Sequence, residues 1–238
     1  MIESVHNPKV KKWVSYHQKK YRDEDRVFLV EGEHLVEEAL KSGQLMEVMS
    51  LSERSLPVHV HVVSSAVMDK VCQTKSKSTI VGLCRKKTLK LDQKRRLLLL
   101  DTIQDPGNLG TMIRTAVSFG FDGIIMNSGC ADVYNEKTIR SSQGAIFFVP
   151  VVVADLKNMI KELQSEGVIV VATALQNAIG LNQLVSSEKM AFVMGNEGQG
   201  VSEELIGLAD QCVTIEMSTF ESLNVGIATG IICYNFRQ

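Results

Sequence analysis

One isolated arginine is the first candidate for chemistry. Residues 101–120, DTIQDPGNLGTMIRTAVSFG, combine the end of a predicted strand, a Pro-Gly turn and an amphipathic helix that Asn108 is predicted to cap. Arg114 lies off the apolar stripe of that helix and is the only Arg or Lys between Arg96 and Lys137. A guanidinium in such a place can bind a phosphate through two parallel hydrogen bonds, and a surface salt bridge is the alternative.

Three glycines follow a second predicted strand. Residues 192–204, FVMGNEGQGVSEE, place Gly195, Gly198 and Gly200 between a predicted strand and a predicted helix. Glycines allow a ligand to approach the backbone closely. The order G-x-x-G-x-G differs from the G-x-G-x-x-G of dinucleotide-binding folds, and Glu197 would repel a pyrophosphate. The loop therefore favours a ligand with a positively charged centre.

Two further groups of polar residues are weaker candidates. Arg140, Ser141 and Ser142 combine a charge with two hydroxyls, which suits contact with a phosphate but also suits a polar helix end. Near the C-terminus, Ser222 is predicted to cap an apolar helix that has Asn224 at its beginning. Asn224 is either an ordinary capping side chain or a member of a functional site.

Charge is distributed unevenly between the two halves of the chain. Residues 1–96 hold 19 Lys and Arg against 12 Asp and Glu, a balance of +7, whereas residues 97–238 hold 7 against 15, a balance of −8. A basic half favours contact with a polyanion such as RNA. Trp13, Tyr16 and Tyr21 alternate with the first basic residues and either stack on RNA or form the core face of a helix. The basic side chains predicted to contact RNA are Lys9, Lys11, Lys12, Lys19, Lys20 and Arg22.

The hydrophobic pattern predicts an α/β scaffold for these groups. Strand and helix patterns alternate in residues 1–84, which we predict to be a small α/β domain that binds RNA. The basic stretch 85–96 is predicted to be an exposed linker. In residues 97–238 the alternation predicts a parallel sheet with helices on both faces, which binds its ligand at the carboxyl ends of the strands.

Composition argues against several classes of protein. No apolar run approaches the roughly 18 residues that a membrane span needs, and the N-terminal residues are polar and basic, so we expect a cytoplasmic protein without a signal peptide. The five cysteines show no C-x-x-C spacing, which argues against a disulfide framework or a zinc ribbon. His59 and His61 would face the same side of a strand, but they lack a third ligand, and we predict no metal site.

Together, these segments resemble the SpoU (TrmH-type) family of RNA ribose 2′-O-methyltransferases, within the knotted SPOUT superfamily. Three motifs in the family's order carry the resemblance: Asn108-Leu109-Gly110 with Arg114-Thr115 and Gly120, then Gly195-Asn196-Glu197-Gly198-Gln199-Gly200, then Ser222-Leu223-Asn224-Val225. Asn7-Pro8 and Phe28-Leu29-Val30-Glu31-Gly32 resemble the family's substrate-binding domain, which is similar to a ribosomal RNA-binding protein. Glu216 departs from the family, which usually has Pro there.

The resemblance implies features that the pattern of residues does not predict. It implies a C-terminal trefoil knot, S-adenosylmethionine as the cofactor, and a homodimer in which the partner subunit completes the active site. Family proposals place the motif-one arginine, Arg114 here, at the ribose 2′-hydroxyl, while Glu197, Asn224 and Asn108 order the site. The positions that the resemblance implies for cofactor binding are Thr173, Gly195, Asn196, Gly198, Gly200, Ile215, Met217 and Leu223.

The predicted function is methyl transfer from S-adenosylmethionine to a ribose 2′-hydroxyl, with ribosomal RNA favoured as the substrate and transfer RNA as the alternative. A non-catalytic RNA-binding or ribosome assembly factor is an alternative of a different class, and the combination of Arg114, Glu197 and Asn224 argues against it. An NAD-dependent enzyme that uses the glycine loop is a third hypothesis. Binding of S-adenosylmethionine, of NAD or of neither cofactor separates the three.

Overall fold

The structure, a computed structural model, describes residues 1–74, 78–219 and 222–238, which form two compact units. The first unit comprises residues 1–88 and 132–148, and the second comprises residues 89–131 and 149–238. The sequence predicted a single division at residues 85–96, so the placement of 132–148 in the first unit is a difference from that prediction. Phe220 and Glu221, in the predicted C-terminal segment, lie outside the described residues.

The helices and strands alternate along both units. The helices are α1 (Pro8–Ser15), α2 (Lys19–Asp25), α3 (Glu33–Lys41), α4 (Ser65–Val71), α5 (Pro106–Ser118), α6 (Glu136–Ser142), α7 (Leu156–Ser165), α8 (Glu203–Leu208) and α9 (Val225–Asn235). The strands are β1 (Val27–Glu31), β2 (Leu45–Ser50), β3 (His59–Val62), β4 (Ile80–Arg85), β5 (Arg96–Leu100), β6 (Gly123–Met126), β7 (Val151–Val153), β8 (Ile169–Thr173), β9 (Ile179–Gly180), β10 (Met190–Met194) and β11 (Gln211–Thr214). None of the helices in the described part of the chain is long and apolar enough to cross a membrane.

The first unit is built on a four-stranded mixed sheet. Its strand order is β1-β4-β2-β3, with β4 antiparallel to both neighbours and β2 parallel to β3. Helices α1 and α4 pack on one face of this sheet, where Trp13 and Tyr16 are buried in the same core as Val67 and Val81. The structure therefore favours the core interpretation of these two aromatic side chains over stacking on RNA.

Arg22 lies inside the first unit. Its side chain is only 7% exposed and forms an ion pair with Asp132 at 2.5 Å. The other guanidinium nitrogen, Nη1, donates to the carbonyl oxygens of Tyr16 and His17 at 2.8 and 2.7 Å. These bonds connect α2 with the end of α1 and with the beginning of the 132–148 segment. The structure thus assigns Arg22 an internal role in place of the predicted RNA contact, because a buried arginine requires partners within the fold.

The second unit contains a seven-stranded sheet in the order β7-β6-β5-β10-β8-β11-β9. Every neighbouring pair is parallel, which confirms the predicted parallel α/β architecture. Buried apolar side chains fill the central strands, since β5 reads Arg-Leu-Leu-Leu-Leu and β10 reads Met-Ala-Phe-Val-Met with no exposed position. From β5 the chain adds β6 and β7 on one side of that strand. The later strands β8 to β11 lie on the other side, where β10 is the direct neighbour of β5. The carboxyl ends of β5 and β10 therefore lie at the point where ligands bind in such sheets.

Several predicted element ends differ from the structure. Helix α5 begins at Pro106 and is capped by Asp105, whose carboxylate accepts from the Asn108 N–H. The prediction that Asn108 caps this helix is therefore wrong. Helix α9 is capped by Asn224 instead of Ser222. The predicted linker also ends too late, because Arg96 opens β5 with 8% of its surface exposed and donates from Nε to the Phe236 carbonyl. Basic composition alone does not show that a charged side chain will find carbonyl partners inside the fold.

The two histidines of β3 do lie together. The rings of His59 and His61 meet edge to face with centroids 4.2 Å apart, and His61 Nε2 lies 2.9 Å from an oxygen of Glu47. The same carboxylate accepts from Lys9 and from the indole N–H of Trp13. Across residues 1–74, 78–219 and 222–238, no three side chains of the metal-ligating types converge.

The burial of Arg22 predicts a stability effect. Arg22→Ala should lower the free energy of unfolding by about 3 kcal/mol, because it leaves the half-buried Asp132 carboxylate and two carbonyl groups without their donor. Urea unfolding followed by circular dichroism measures this difference. Lys20→Ala on the exposed side of the same helix is the matched control and should change stability by less than about 0.5 kcal/mol. Equal effects of the two substitutions would contradict the structural role of Arg22.

Candidate active site

A chain of hydrogen bonds joins three of the predicted catalytic side chains. Asn224 Nδ2 donates to Asn108 Oδ1 at 3.1 Å, and Asn108 Nδ2 donates to Glu197 Oε1 at 3.0 Å. The three residues come from the beginning of α9, the first turn of α5 and the loop after β10. Because the Asn108 amide donates at one end and accepts at the other, its orientation is determined by its two neighbours.

The carboxylate of Glu197 is an acceptor for the turn that precedes α5. Besides the Asn108 amide, it accepts from the backbone N–H of Gln104 at 3.2 Å and of Asp105 at 3.1 Å. Partial burial raises the pKa of the Glu197 carboxyl, but these hydrogen bonds outweigh burial and hold that pKa below its ordinary value. Glu197 is therefore ionised near neutral pH and serves as a fixed acceptor instead of a proton donor.

A buried carboxylate behind this site was missed by the sequence analysis. Asp101, 6% exposed at the end of β5, accepts from the Ser202 N–H at 2.9 Å and from Asn127 Nδ2 at 2.8 Å. The next residue, Thr102, has a left-handed backbone with φ 58°, and its carbonyl accepts from Asn196 Nδ2 at 2.8 Å. The signal in the sequence is an aspartate directly after the four leucines of β5, because a carboxylate next to a buried strand needs hydrogen-bond donors within the fold.

The glycine loop closes on itself. Asn196 and Gly200 exchange both backbone hydrogen bonds at 2.9 Å, and Asn196 Oδ1 accepts from the N–H groups of Gly198 and Gln199. A Cβ atom on Gly195 would lie 2.0 Å from the Gly200 carbonyl carbon, so only glycine fits there. Gly200 needs glycine for another reason, since its φ of 72° is in the left-handed region.

The predicted cofactor positions follow neighbouring strands of the sheet. Thr173 ends β8, Gly195 follows β10 directly, and Ile215 follows β11 directly, with Met217 two residues further on. Strand β8 lies between β10 and β11, so the parallel register places these three strand ends at one edge. Thr173 Oγ1 also donates to the Val193 carbonyl at 3.0 Å. Leu223, 39% exposed, immediately precedes the cap of α9.

Arg114 is exposed on α5, one turn after Thr111. Among the residues that the structure describes, no carboxylate or other acceptor binds its guanidinium. Thr111 lies where the two helices approach closely, because a Cβ atom on Gly226 of α9 would be 3.2 Å from the Thr111 methyl carbon. Among the described residues, the surface salt bridge that was the alternative for Arg114 is not formed, which leaves the guanidinium available to an anion.

The comparisons with known proteins match both parts of the chain. The sequence profile of the SpoU rRNA Methylase family matches residues 95–234, more than half of the chain. The chain belongs to the SpoU rRNA methylase family. The family and the RNA methyltransferase activity predicted from the three motifs are thereby confirmed. The profile of the MRM3-like substrate binding domain matches residues 7–82 of this SpoU methylase.

Relatives and solved structures of similar length support this assignment. The SpoU methylase is 42% identical to the 23S rRNA (guanosine(2553)-2′-O)-methyltransferase RlmP of Bacillus subtilis, in an alignment that covers 99% of this chain and 98% of the relative. It is similar to an AdoMet-bound rRNA methyltransferase from Sinorhizobium meliloti, with a TM-score of 0.88, 31% identity, and coverage of 98% and 95%. A TrmH-family RNA methyltransferase structure from Porphyromonas gingivalis gives a TM-score of 0.87 at 26% identity, covering 98% of each chain.

Most of the lysines that were predicted to contact RNA in the SpoU methylase are already paired. Their ion pairs are Lys9 with Glu47 at 2.6 Å, Lys12 with Asp25 at 2.5 Å, and Lys19 with Asp23 at 2.6 Å. Lys20 lies over the ring of Tyr21, with Nζ 5.6 Å from the centroid. Lys11 is exposed and forms no ion pair in the described part of the chain. Paired lysines attract a polyanion less strongly than their number suggests, because the carboxylates reduce the positive electrostatic potential around them.

The polar residues predicted to contact RNA on α6 also bond within the protein. Arg140 is exposed and forms an ion pair with Glu136 one turn earlier, and Ser141 Oγ donates to the Lys137 carbonyl at 2.7 Å. Ser142 is fully buried and its hydroxyl donates to the Ile139 carbonyl at 2.8 Å. Ser142 therefore belongs to the packing of α6, which is the helix-end alternative to the predicted RNA contact.

A cavity of about 330 Å³ lies beside Asp101 in the second unit. Its polar lining includes Asn127, Asp155, Lys157 and Ser202. None of the predicted catalytic or cofactor residues lines it. Asp101 and Asn127 bond to each other, and Asp155 caps α7, so these groups serve the fold rather than a ligand.

The ionised state of Glu197 predicts the effect of an amide in its place. Glu197→Gln should lower methyl transfer at neutral pH by roughly 10- to 100-fold, because one amide oxygen replaces two anionic oxygens that serve three donors. Glu203→Gln, an exposed glutamate on α8, is the matched control and should retain activity.

The pH dependence gives a second readout of the same substitution. Because the folded pKa of Glu197 is lowered, its contribution is complete above the ordinary glutamate pKa and is lost only as the pH falls through the lower folded value. An activity transition between pH 6 and 7 that disappears in Glu197→Gln would contradict this assignment.

Proposed function

We propose that this SpoU methylase transfers a methyl group to a ribose 2′-hydroxyl of 23S ribosomal RNA. The observation that carries the proposal is the Asn224–Asn108–Glu197 hydrogen-bond chain, whose central residue lies on the same helix, α5, as Arg114, which has no partner among the described residues. The predicted cofactor and 2′-O chemistry are confirmed by relatives, one of which was solved with AdoMet and another of which is a 2′-O-methyltransferase. The Bacillus subtilis relative makes 23S rRNA the first substrate to test.

The residues of the glycine loop and its neighbours fit S-adenosylmethionine. A Cβ atom on Gly200 would have open space around it, and the nearest atom to one on Gly198 would be 3.6 Å away, so the backbone is open to a ligand there. Met217 is half-buried and Leu223 is partly exposed, which offers apolar contact to an adenine ring. Glu197 and Glu216 make the surroundings acidic, which suits a cationic ligand better than a pyrophosphate.

The protein's task in this reaction is alignment and charge stabilisation. S-adenosylmethionine supplies an activated methyl group on a positively charged sulfur when it is bound. Arg114 then binds the phosphate next to the target ribose and stabilises the negative charge that develops on the attacking oxygen. Asn108 and Asn224 hold the helix starts that carry this geometry.

Arg114 does not remove the proton of the hydroxyl. A guanidinium has a pKa far above the physiological range and stays protonated in proteins. The RNA phosphate that it binds, or a water molecule, accepts the proton. Glu197 does not serve as the proton acceptor in this proposal either, because its carboxylate accepts from the Gln104 and Asp105 N–H groups and from the Asn108 amide, and these bonds lower its pKa.

The first unit supplies RNA affinity in this proposal. The match of residues 7–82 to a substrate-binding domain supports it, as does the positive balance of the first 96 residues. Its similarity to a ribosomal RNA-binding protein and the trefoil knot of the second unit remain predictions from the family resemblance.

We further propose a homodimer in which α9 supplies the interface. One side of α9 is buried through Val225, Thr229 and Ile232. The opposite side exposes apolar groups, with Ile227 at 58% and Tyr234 at 56% exposure. These two residues are seven positions apart and therefore lie on one face of the helix. A second copy of the chain would cover this face.

Removal of Arg114 tests the mechanism. Arg114→Ala should lower methyl transfer to 23S rRNA by about 10²–10³-fold, because one charged donor to the developing oxyanion is lost. Stability and S-adenosylmethionine affinity should be retained, since the side chain is exposed and bonds to nothing in the described chain. Arg114→Lys should restore only part of the activity, because an ammonium lacks the planar fork.

Two controls accompany this measurement. Lys161→Ala removes another exposed cation from a helix of the same unit and should leave turnover unchanged. Transfer RNA as substrate and calorimetry with NAD test the remaining hypotheses. Wild-type turnover by a folded Arg114→Ala protein would reject the mechanism, whereas binding of NAD without S-adenosylmethionine would reject the function.

Disruption of the exposed face of α9 tests the dimer. Ile227→Glu with Tyr234→Glu should convert the protein to a monomer by light scattering and abolish methyl transfer. Val185→Glu, on a residue that is 82% exposed outside α9, should change neither. If the site is shared, mixing Arg114→Ala with Gly198→Trp should restore activity through heterodimers. Wild-type protein that is monomeric and fully active would exclude the shared site.

A further inference from the structure

Three of the five lysines of α1 and α2, namely Lys9, Lys12 and Lys19, pair with carboxylates of the first unit. Asp23 pairs with both Lys19 and Lys86 at 2.6 Å, and these hydrogen bonds lower the pKa of Asp23 to about 2. Asp25 pairs with Lys12 and also accepts from the Tyr16 hydroxyl. When RNA binds, a lysine whose charge is already balanced by a carboxylate displaces few of the counterions condensed on the RNA. The paired lysines are therefore poor candidates for the surface that binds phosphate.

Six cations of the first unit are exposed and have no carboxylate partner among the described residues: Lys11, Lys20, Lys70, Arg26, Arg85 and Lys87. The last three lie near one another along one strand pair, and we refer to Arg26, Arg85 and Lys87 as the basic corner. Backbone pairing places their main chains next to one another, since Val27 is the register partner of Arg85 and the Lys86 N–H donates to the Arg26 carbonyl at 2.8 Å. Within the described part of the chain, these side chains make one polar contact, a long one from Arg26 Nη2 to Thr88 Oγ1 at 3.5 Å.

The acidic residues nearest in sequence do not balance the basic corner. Asp23 and Asp25 are occupied by the lysine pairs described above. The pKa of Lys12 is raised mainly by its hydrogen bond to Asp25, and the charge of Glu24 raises it further. Lys86, between two members of the corner, lies over the Tyr134 ring at 4.4 Å and pairs with Asp23. Among the residues that the structure describes, no carboxylate forms an ion pair with Arg26, Arg85 or Lys87.

The backbone of Arg26 holds the corner in a defined shape. This residue ends α2 in the left-handed conformation, with φ 55° and ψ 45°, and its N–H donates to the Arg22 carbonyl. The turn leads directly into β1, whose pairing with β4 positions Arg85. Arg26 at the end of α2 and Arg85 at the end of β4 can each bind a phosphate in a planar, bidentate way.

We infer that the basic corner, Arg26 with Arg85 and Lys87, is the surface of the first unit that binds the phosphodiester backbone of RNA. This inference rests on the proposed function and replaces the paired lysines Lys9, Lys12 and Lys19 as the main point of contact. The lysines that pair with acidic residues support the fold of the unit, while the unpaired corner supplies the charge that RNA meets.

The salt dependence of RNA binding tests this location. The full-length protein would be titrated with a 23S rRNA transcript between 50 and 200 mM KCl by filter binding. The variant Arg26→Asn, Arg85→Gln, Lys87→Gln uses asparagine at position 26 because it tolerates the left-handed backbone. Each lost phosphate contact reduces the slope of log affinity against log salt by roughly 0.7–0.9, so the slope should fall by about 2. Over this fourfold range of salt, that difference corresponds to about 16-fold in relative affinity.

The matched control removes the same number of charges from α1 and α2. Lys9→Gln, Lys12→Gln, Lys19→Gln should retain the wild-type slope, because these lysines are paired within the protein. Thermal unfolding of both variants verifies that they fold. An unchanged slope in a folded corner variant, or an equal loss in the control, would overturn the inference while leaving the proposed function intact. A wild-type protein without salt-dependent RNA binding would overturn both.

Discussion

The carboxylate of Glu197 is the interaction on which the candidate active site depends. It accepts from two backbone N–H groups before α5 and from the Asn108 amide, and through Asn108 it reaches Asn224 at the cap of α9. Three chain segments that are distant in sequence are thus ordered by one ionised group. Since the N–H groups before a helix otherwise have no intrahelical partner, an acceptor from another loop stabilises them and determines where the helix begins. The position of Arg114 follows from the start of the same helix.

A second carboxylate supports this arrangement from inside the sheet. Asp101 is buried at the end of β5 and receives the Ser202 N–H, so it connects the strand end before α5 to the end of the glycine loop. Asn196 makes the reverse connection by donating to the Thr102 carbonyl. Both ends of the glycine loop are therefore bonded to the strand end before α5. These bonds fix the position of the proposed cofactor site relative to the proposed catalytic helix. Buried carboxylates carry a desolvation cost that only such fixed donors offset.

The first unit shows that charge in a sequence and charge at a surface are different quantities. Its positive balance indicated contact with a polyanion, but the sequence could not say which cations would be free. Folding pairs Lys9, Lys12 and Lys19 with acidic side chains, some of them distant in sequence, and encloses Arg22 against Asp132. The partner of Arg22 lies 110 positions away. No local pattern of residues predicts a pair of that separation.

The sequence by itself determined the parallel α/β architecture of residues 97–238, the family and the identity of the catalytic candidates, because strand and helix periodicity and motif residues are local properties. Only the tertiary structure decided which side chains meet: that Asp105 and Asn224 cap the helices, that Glu197 serves the turn before α5, that Arg114 is unpaired, and that residues 132–148 join the first unit. The physical reason is that hydrogen bonds and ion pairs depend on distances between groups far apart in the chain, and these distances exist only once the sheets have assembled.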